Sequence, residues 1–166
     1  MNIYNKTDKN HVYSDVTFLQ IKDIQKKYIN LKIGFTCSAF DILHAGHILM
    51  LEDAKKKCDI LVVGLHKDPN TNRNYKNKPV QDIEERTIQL NGCKYVDEII
   101  RYSTEADLYN ILINLSPDVR VLGSDWRNKE YTGYKLPIVI HWHERIHDYS
   151  TSNLRKRIID ASKETF

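Results

Sequence analysis

The 166-residue sequence predicts a single α/β domain with about five parallel strands flanked by helices. Three observations carry that expectation. Short apolar runs of strand length alternate with amphipathic stretches of about ten residues, the pattern of right-handed βαβ units. One run, Ile60-Leu61-Val62-Val63-Gly64-Leu65, is continuously apolar, as a strand covered on both faces should be. Polar or small residues punctuate each junction.

The elements follow in order. Val16 to Tyr28 reads as a helix preceding the alternating pattern, so residues 1–30 are expected to form an N-terminal extension and 31–166 the main domain. Leu31 to Thr36 is a buried strand. From Ile48 the apolar residues Leu49, Leu51 and Ala54 recur at helical spacing to Lys57. After the Ile60 strand comes a polar loop, Asp68 to Lys78, rich in Asn and Lys. Asp82 caps a helix to Asn91. Tyr95–Ile100 is a strand, Glu105–Leu115 a helix, Val119–Gly123 and Leu136–Trp142 strands. Ser150 or Ser152 caps a closing helix, Asn153 to Ser162.

Composition narrows the function classes. Hydrophobic residues are 41% and charged residues 28%, which excludes disordered and collagen-like chains. No apolar run approaches the roughly 18 residues of a membrane span, and Met1 to Lys6 lacks a secretion signal's apolar core. Cys37, Cys58 and Cys93 have no metal or disulfide spacing, so reduced thiols in a cytoplasm are expected. The net charge of +3 is dispersed, and Lys55–Lys57 and Arg155–Arg157 read as solvated helix faces. No nucleic-acid partner is implied, while a small anionic substrate suits the balance.

The chemistry-bearing segment follows the first strand: Cys37-Ser38-Ala39-Phe40-Asp41-Ile42-Leu43-His44-Ala45-Gly46-His47. Two histidines three apart share one side of a helix start. Gly46 between them permits close approach to the backbone, and the helix N-terminus favours phosphate. Imidazoles beside an anion site can donate to charge developing on a transferring phosphoryl group. A competing cluster, His141, His143, Glu144 and His147, lacks the spacing of strong zinc sites and reads as edge-strand histidines near an anionic pocket.

The His44-Ala45-Gly46-His47 segment, preceded by Phe40-Asp41, resembles the HxGH signature of the nucleotidyltransferase superfamily, specifically its cytidylyltransferases. Three further places support the resemblance. Lys76-Asn77-Lys78-Pro79-Val80 with Glu84-Glu85-Arg86 is similar to a phosphate-neutralising loop and helix. Cys93-Lys94-Tyr95-Val96-Asp97-Glu98 resembles an R-Y-V-D-E strand. Arg145 with Ser150-Thr151-Ser152 resembles the R-T-E-G-I-S-T-[ST] motif. The departures are Ser38 in place of Gly and Ile146-His147-Asp148-Tyr149 in place of T-E-G-I.

The resemblance implies a Rossmann-like fold and transfer of CMP from CTP to a phosphorylated alcohol, with Mg²⁺ as cofactor and a homodimer as assembly. His44, His47 and Lys76 would be catalytic, and Lys78 and Arg86 would hold phosphate or acceptor. Ser38, Ala39, Phe40, Asp41, Gly46, Arg145, Ser150, Thr151 and Ser152 would bind nucleotide. Gly123-Ser124-Asp125-Trp126, similar to the G-D-D-W segment of glycerol-3-phosphate cytidylyltransferases, would place Gly123, Asp125 and Trp126 at base and ribose. Glycerol 3-phosphate is therefore the favoured acceptor. The alternatives are phosphocholine or phosphoethanolamine, an ATP-using adenylyltransferase, and a non-catalytic nucleotide-binding domain.

Overall fold

The computed structural model describes residues 15–69 and 78–163. In order the elements are α1 (Asp15–Lys27), β1 (Ile33–Ser38), α2 (Ala45–Lys55), β2 (Ile60–His66), α3 (Ile83–Asn91), β3 (Glu98–Tyr102), α4 (Glu105–Leu115), β4 (Val119–Gly123), β5 (Val139–His143) and α5 (Thr151–Lys163). One 3-10 turn, Ser124–Trp126, follows β4. All strand pairs are parallel, in the order β3-β2-β1-β4-β5. The chain therefore winds outward from β1 to β3, then returns through α4 to start again at β4. Beside β1 and β4 the crevice opens at the C-terminal strand ends, where such sheets bind ligands.

Alternation along β2 divides the core into two halves, since successive side chains leave opposite faces of a strand. Ile60 and Val62 pack with Phe35, Ile100, Leu108, Ile111 and Leu112 beneath α1 and α4. Leu61, Val63 and Leu65 pack with Phe40, Leu51, Leu90 and Val121 beneath α2 and α3. Both α3 and α4 begin in capping boxes, Asp82 with Glu85 and Thr104 with Asp107. The left-handed Ser116 ends α4.

Several boundaries differ from the sequence expectation. The third strand begins at Glu98, because Asp97 bends out to accept from the Leu61 N–H at 2.7 Å and to pair with Lys55. The fifth begins at Val139, because Leu136 and Ile138 close tight backbone turns around Pro137. Helix α2 starts at Ala45, three residues early, because His44 caps it: the His44 Nδ1 accepts from the Gly46 N–H at 3.1 Å.

Helix α1 shares the first core half, with Ile21 and Ile24 buried against α4 and β3. Gln20 donates to the Ile99 carbonyl and Gln25 to that of Asn114, while the Tyr28 hydroxyl donates to Glu98. Ile21→Ala should therefore destabilise the whole domain by about 2–5 kcal/mol, the usual cost of emptying a closed core site. Denaturant melts would read this as one cooperative transition at a lower midpoint.

Candidate active site

The loop between β1 and α2 is held in an unusual conformation. Phe40 and Ile42 both have positive φ, 49° and 47°, and for a β-branched residue that is strained. Phe40 anchors the turn by burying its ring, 1% exposed, in the second core half. Asp41 and Ile42 are tied to the start of the α3 segment: Gln81 N–H donates to Asp41, and Ile42 N–H donates to the Gln81 side chain. Arg155 of α5 completes the knot by pairing with Asp41 and donating to the Lys78 carbonyl. Burial alone would raise the Asp41 pKa. The Gln81 and Val80 N–H groups and Arg155 outweigh it and hold the carboxyl below its usual range.

That frame presents His44 and His47 as a stacked pair, ring centroids 3.9 Å apart and planes at 24°. Because the His44 Nδ1 accepts from Gly46, its proton sits on Nε2, which lies 3.2 Å from the Thr151 hydroxyl at the start of α5. Burial, then the neighbouring His44, push the His47 pKa down to about 3. Burial, with Arg145 and His147 nearby, lowers His44 as well. Both rings are thus kept neutral near pH 7, each offering an N–H rather than a full charge.

The His47 shift has a sign that melts can read. The unfolded chain takes up a proton at this residue as pH falls through about 6.5, whereas the folded chain refuses it down to about 3. Its contribution to stability is intact above pH 6.5 and is lost steadily below, by up to about 1.4 kcal/mol per pH unit. His47→Asn should flatten the fall in Tm between pH 6.5 and 4.5; an unaltered slope would contradict the buried neutral imidazole.

The two rings face a cavity of about 240 Å³ over the β1–β4 crevice. Its walls bring together Ser38, His44, Gly46, His47, Gly123 and Asp125 with Trp126, Arg145, Ser150 and Thr151. Ala39, Phe40, Asp41 and Ser152 line an adjoining recess that shares Ser38, His47 and Thr151 with it. Ser150 caps α5, its hydroxyl accepting from the Asn153 N–H at 3.1 Å. The close approach expected at Gly46 is made by the protein itself: a Cβ there would lie 2.8 Å from the Tyr149 carbonyl oxygen and 3.0 Å from His147.

Arg86 requires a correction. Its side chain is 2% exposed, and its guanidinium donates to the carbonyls of Gln81, Asp82, Ala39, His66 and Lys67. The fork expected to grip a phosphate is engaged with backbone, and it clasps the ends of β1 and β2 to α3. Lys78 is exposed and lines none of these cavities; Lys76 lies outside the described residues. His141 and His143, expected as edge-strand histidines near an anionic pocket, share a carboxylate: His141 Nε2 and His143 Nδ1 lie 3.0 and 2.8 Å from Asp53 Oδ2. Among the described residues no group of three or more metal-ligating side chains forms.

Sequence reasoning missed Arg155 and His147. Arg155 sits one helical turn from Thr151 on α5, a spacing that puts both on one face, but its place in a basic run suggested solvent. His147 was visible only as a departure from a motif and as a member of the histidine cluster with His141 and His143, neither of which pointed to a nucleotide contact.

A crevice at the C-terminal ends of β1 and β4, faced by a histidine pair at a helix start, is the arrangement of an α/β nucleotide-handling protein of the HxGH class. A family model described as Cytidylyltransferase-like matches residues 35–157. The chain belongs to this cytidylyltransferase-like family of nucleotidyltransferases. It is 32% identical over 146 residues to the bifunctional protein HldE of Campylobacter concisus, covering 87% of this chain and 31% of that protein. With HldE of Wolinella succinogenes it shares 37% over 128 residues, 76% of this chain and 27% of the relative. The chain thus spans under a third of the length of these curated relatives. A lipopolysaccharide core biosynthesis protein from Thermoplasma volcanium superposes with TM-score 0.57 at 31% identity, covering 73% of this chain and all of the other. Pantoate-beta-alanine ligase from Francisella tularensis, at 17% identity and TM-score 0.61, covers 83% of this chain and 70% of its own and shares the fold. No helix among the described residues is long and apolar enough to cross a membrane.

Proposed function

We propose that the chain transfers CMP from CTP to a phosphorylated alcohol, glycerol 3-phosphate or a related polyol phosphate, releasing pyrophosphate. The observation that carries this reading is the meeting of two cavities. Beyond Ser38 and Trp126, which line both, a second space of about 240 Å³ extends over β1 and α4. One space suits the nucleotide and the other the acceptor, with the reacting phosphates at their junction. The far wall carries Arg120, Glu105 and Tyr131. The buried Arg120 guanidinium and the Glu105 carboxylate give this wall both charges, a lining that suits the hydroxyl groups of a polyol.

The mechanism is direct displacement. An acceptor phosphate oxygen attacks the α-phosphorus of CTP, and the bond to the β-phosphate oxygen breaks, so pyrophosphate departs with the electron pair. His44 Nε2–H turns from Thr151 to the α-phosphate, where it and His47 stabilise the charge of the transition state. Arg145, Ser150 and the α5 N-terminus receive the β- and γ-phosphates. Positioning and charge stabilisation suffice without a covalent intermediate. Lys76 is the further cation assigned to the phosphates.

Among the described residues, Asp125 is the carboxylate lining this cavity. A single carboxylate fits a Mg²⁺ ion carried mainly on phosphate oxygens and water, as magnesium commonly is. Bound there, the ion would neutralise charge on the triphosphate.

A second reading is an ATP-using enzyme of the same superfamily acting on a sugar phosphate; the likeness to a lipopolysaccharide core biosynthesis protein supports its sugar-derived acceptor. Pyrophosphate release with Mg²⁺, crossing CTP and ATP with glycerol 3-phosphate, sugar 1-phosphates and phosphocholine, separates the readings. Turnover with CTP and a polyol phosphate supports the first; ATP with a sugar phosphate replaces it by the second. Silence with every pair, despite CTP raising Tm, would favour a non-catalytic nucleotide-binding domain. The expected assembly is a homodimer in a cytoplasm, which light scattering checks: twice the 19.5 kDa chain mass supports it and a single chain mass contradicts it.

A further inference from the structure

Three imidazole nitrogens around the nucleotide cavity are buried without a hydrogen-bond partner: His47 Nδ1, His143 Nε2 and His147 Nε2. Leaving a buried polar nitrogen unpaired is costly, so several around one space point to a ligand that completes them. Their hydrogen-bonding sense can be read from the partner each ring already has. The Tyr149 N–H donates to His147 Nδ1 at 3.2 Å, so that nitrogen carries the lone pair and the proton sits on His147 Nε2. His143 is the reverse: its Nδ1 faces the Asp53 carboxylate at 2.8 Å, so the neutral ring presents a lone pair from Nε2. Of these two rings, only His147 offers a ready N–H to an anion.

Its place fits the same chemistry. His147 stacks on Tyr149 with centroids 5.0 Å apart. Its Cε1 and that of His44 stand 3.0 and 3.1 Å from the point where a Gly46 Cβ would be. The ring is thus fixed beside the histidine pair at the start of α2, and it stands between Arg145 and Ser150 in sequence on the segment leading into α5. We infer that His147 is a further substrate-contacting residue, donating from Nε2 to a phosphate oxygen in the pyrophosphate portion of the nucleotide. The chain thereby has a third imidazole donor where the family motif has a glutamate. This inference rests on the nucleotidyltransferase reading for its ligand, and its test does not require turnover.

The test is calorimetric titration of the wild type, His147→Phe and His147→Gln with inorganic pyrophosphate, CTP and cytidine. Phe keeps the stack on Tyr149 but removes both the Nε2 donor and the acceptor of the Tyr149 N–H. His147→Asn, whose side-chain oxygen can keep that acceptor without the Nε2 donor, is therefore titrated beside it and should show the same loss. Gln restores a donor. The expected result is that His147→Phe weakens pyrophosphate and CTP binding by about 10- to 100-fold, the range for a hydrogen bond to a charged group. Cytidine binding should be unchanged, and His147→Gln should recover much of the loss. Equal affinities for wild type and His147→Phe would overturn the inference, as would an equal loss for cytidine, or a wild type that binds no pyrophosphate. If His44→Asn abolishes turnover while His147→Phe binds normally, only this inference falls. If pyrophosphate binds through His147 but no nucleotide and acceptor react, the transferase reading falls and the inference stands.

Discussion

His44→Asn should lower kcat by about 10²–10³ while leaving Tm close to that of the wild type, the loss expected for one donor to an oxyanion-like transition state. Asparagine is chosen because His44 does two things. Its Nδ1 caps α2 by accepting from the Gly46 N–H, and its Nε2–H points across the cavity mouth to Thr151. An Asn side-chain oxygen keeps the cap, which is worth about 1 kcal/mol, and removes only the second group. His44→Ala would lose both and confuse stability with chemistry. Steady-state kinetics beside thermal melts decide it. Near-normal kcat in the folded Asn variant would remove His44 from the mechanism.

Arg86→Met should cost about 3–5 kcal/mol and lower Tm by roughly 10 °C for a domain of this size. Five carbonyls take its donors, and in the methionine variant those of Ala39, His66 and Lys67 would be left facing a nearly dry interior. The effect reaches the site because Ala39 belongs to the loop that carries Asp41 and the histidines. Melting and kinetics together distinguish this tie from a phosphate ligand. A variant with unchanged Tm and a raised KM would restore the role the sequence suggested.

The βα alternation was legible where junctions obeyed local rules. Asp82 and Thr104 stand where capping boxes form, and the apolar run of β2 is buried on both faces. Boundaries slipped where tertiary contacts outvoted local pattern, as at Asp97, whose carboxylate is claimed by Leu61 and Lys55 before β3 can begin. That His44, Gly46 and His47 would stand together could be read from one motif on one βα loop, and they line a common cavity. Long-range partnerships left little local trace. Arg155 reaching Asp41 across 114 positions looks in sequence like any exposed arginine in a basic run. Arg86 looks like a surface helix residue until the ends of β1 and β2 close over it.

The most direct test of the account is the product formed when the wild type is incubated with CTP, Mg²⁺ and a polyol phosphate, analysed by mass spectrometry. The account predicts a cytidine diphosphate joined to the acceptor, formed in equal amount with pyrophosphate and lost with His44→Asn. Appearance of free CMP, with the acceptor untouched, would mean that water attacks the nucleotide, and would contradict transfer between the two cavities.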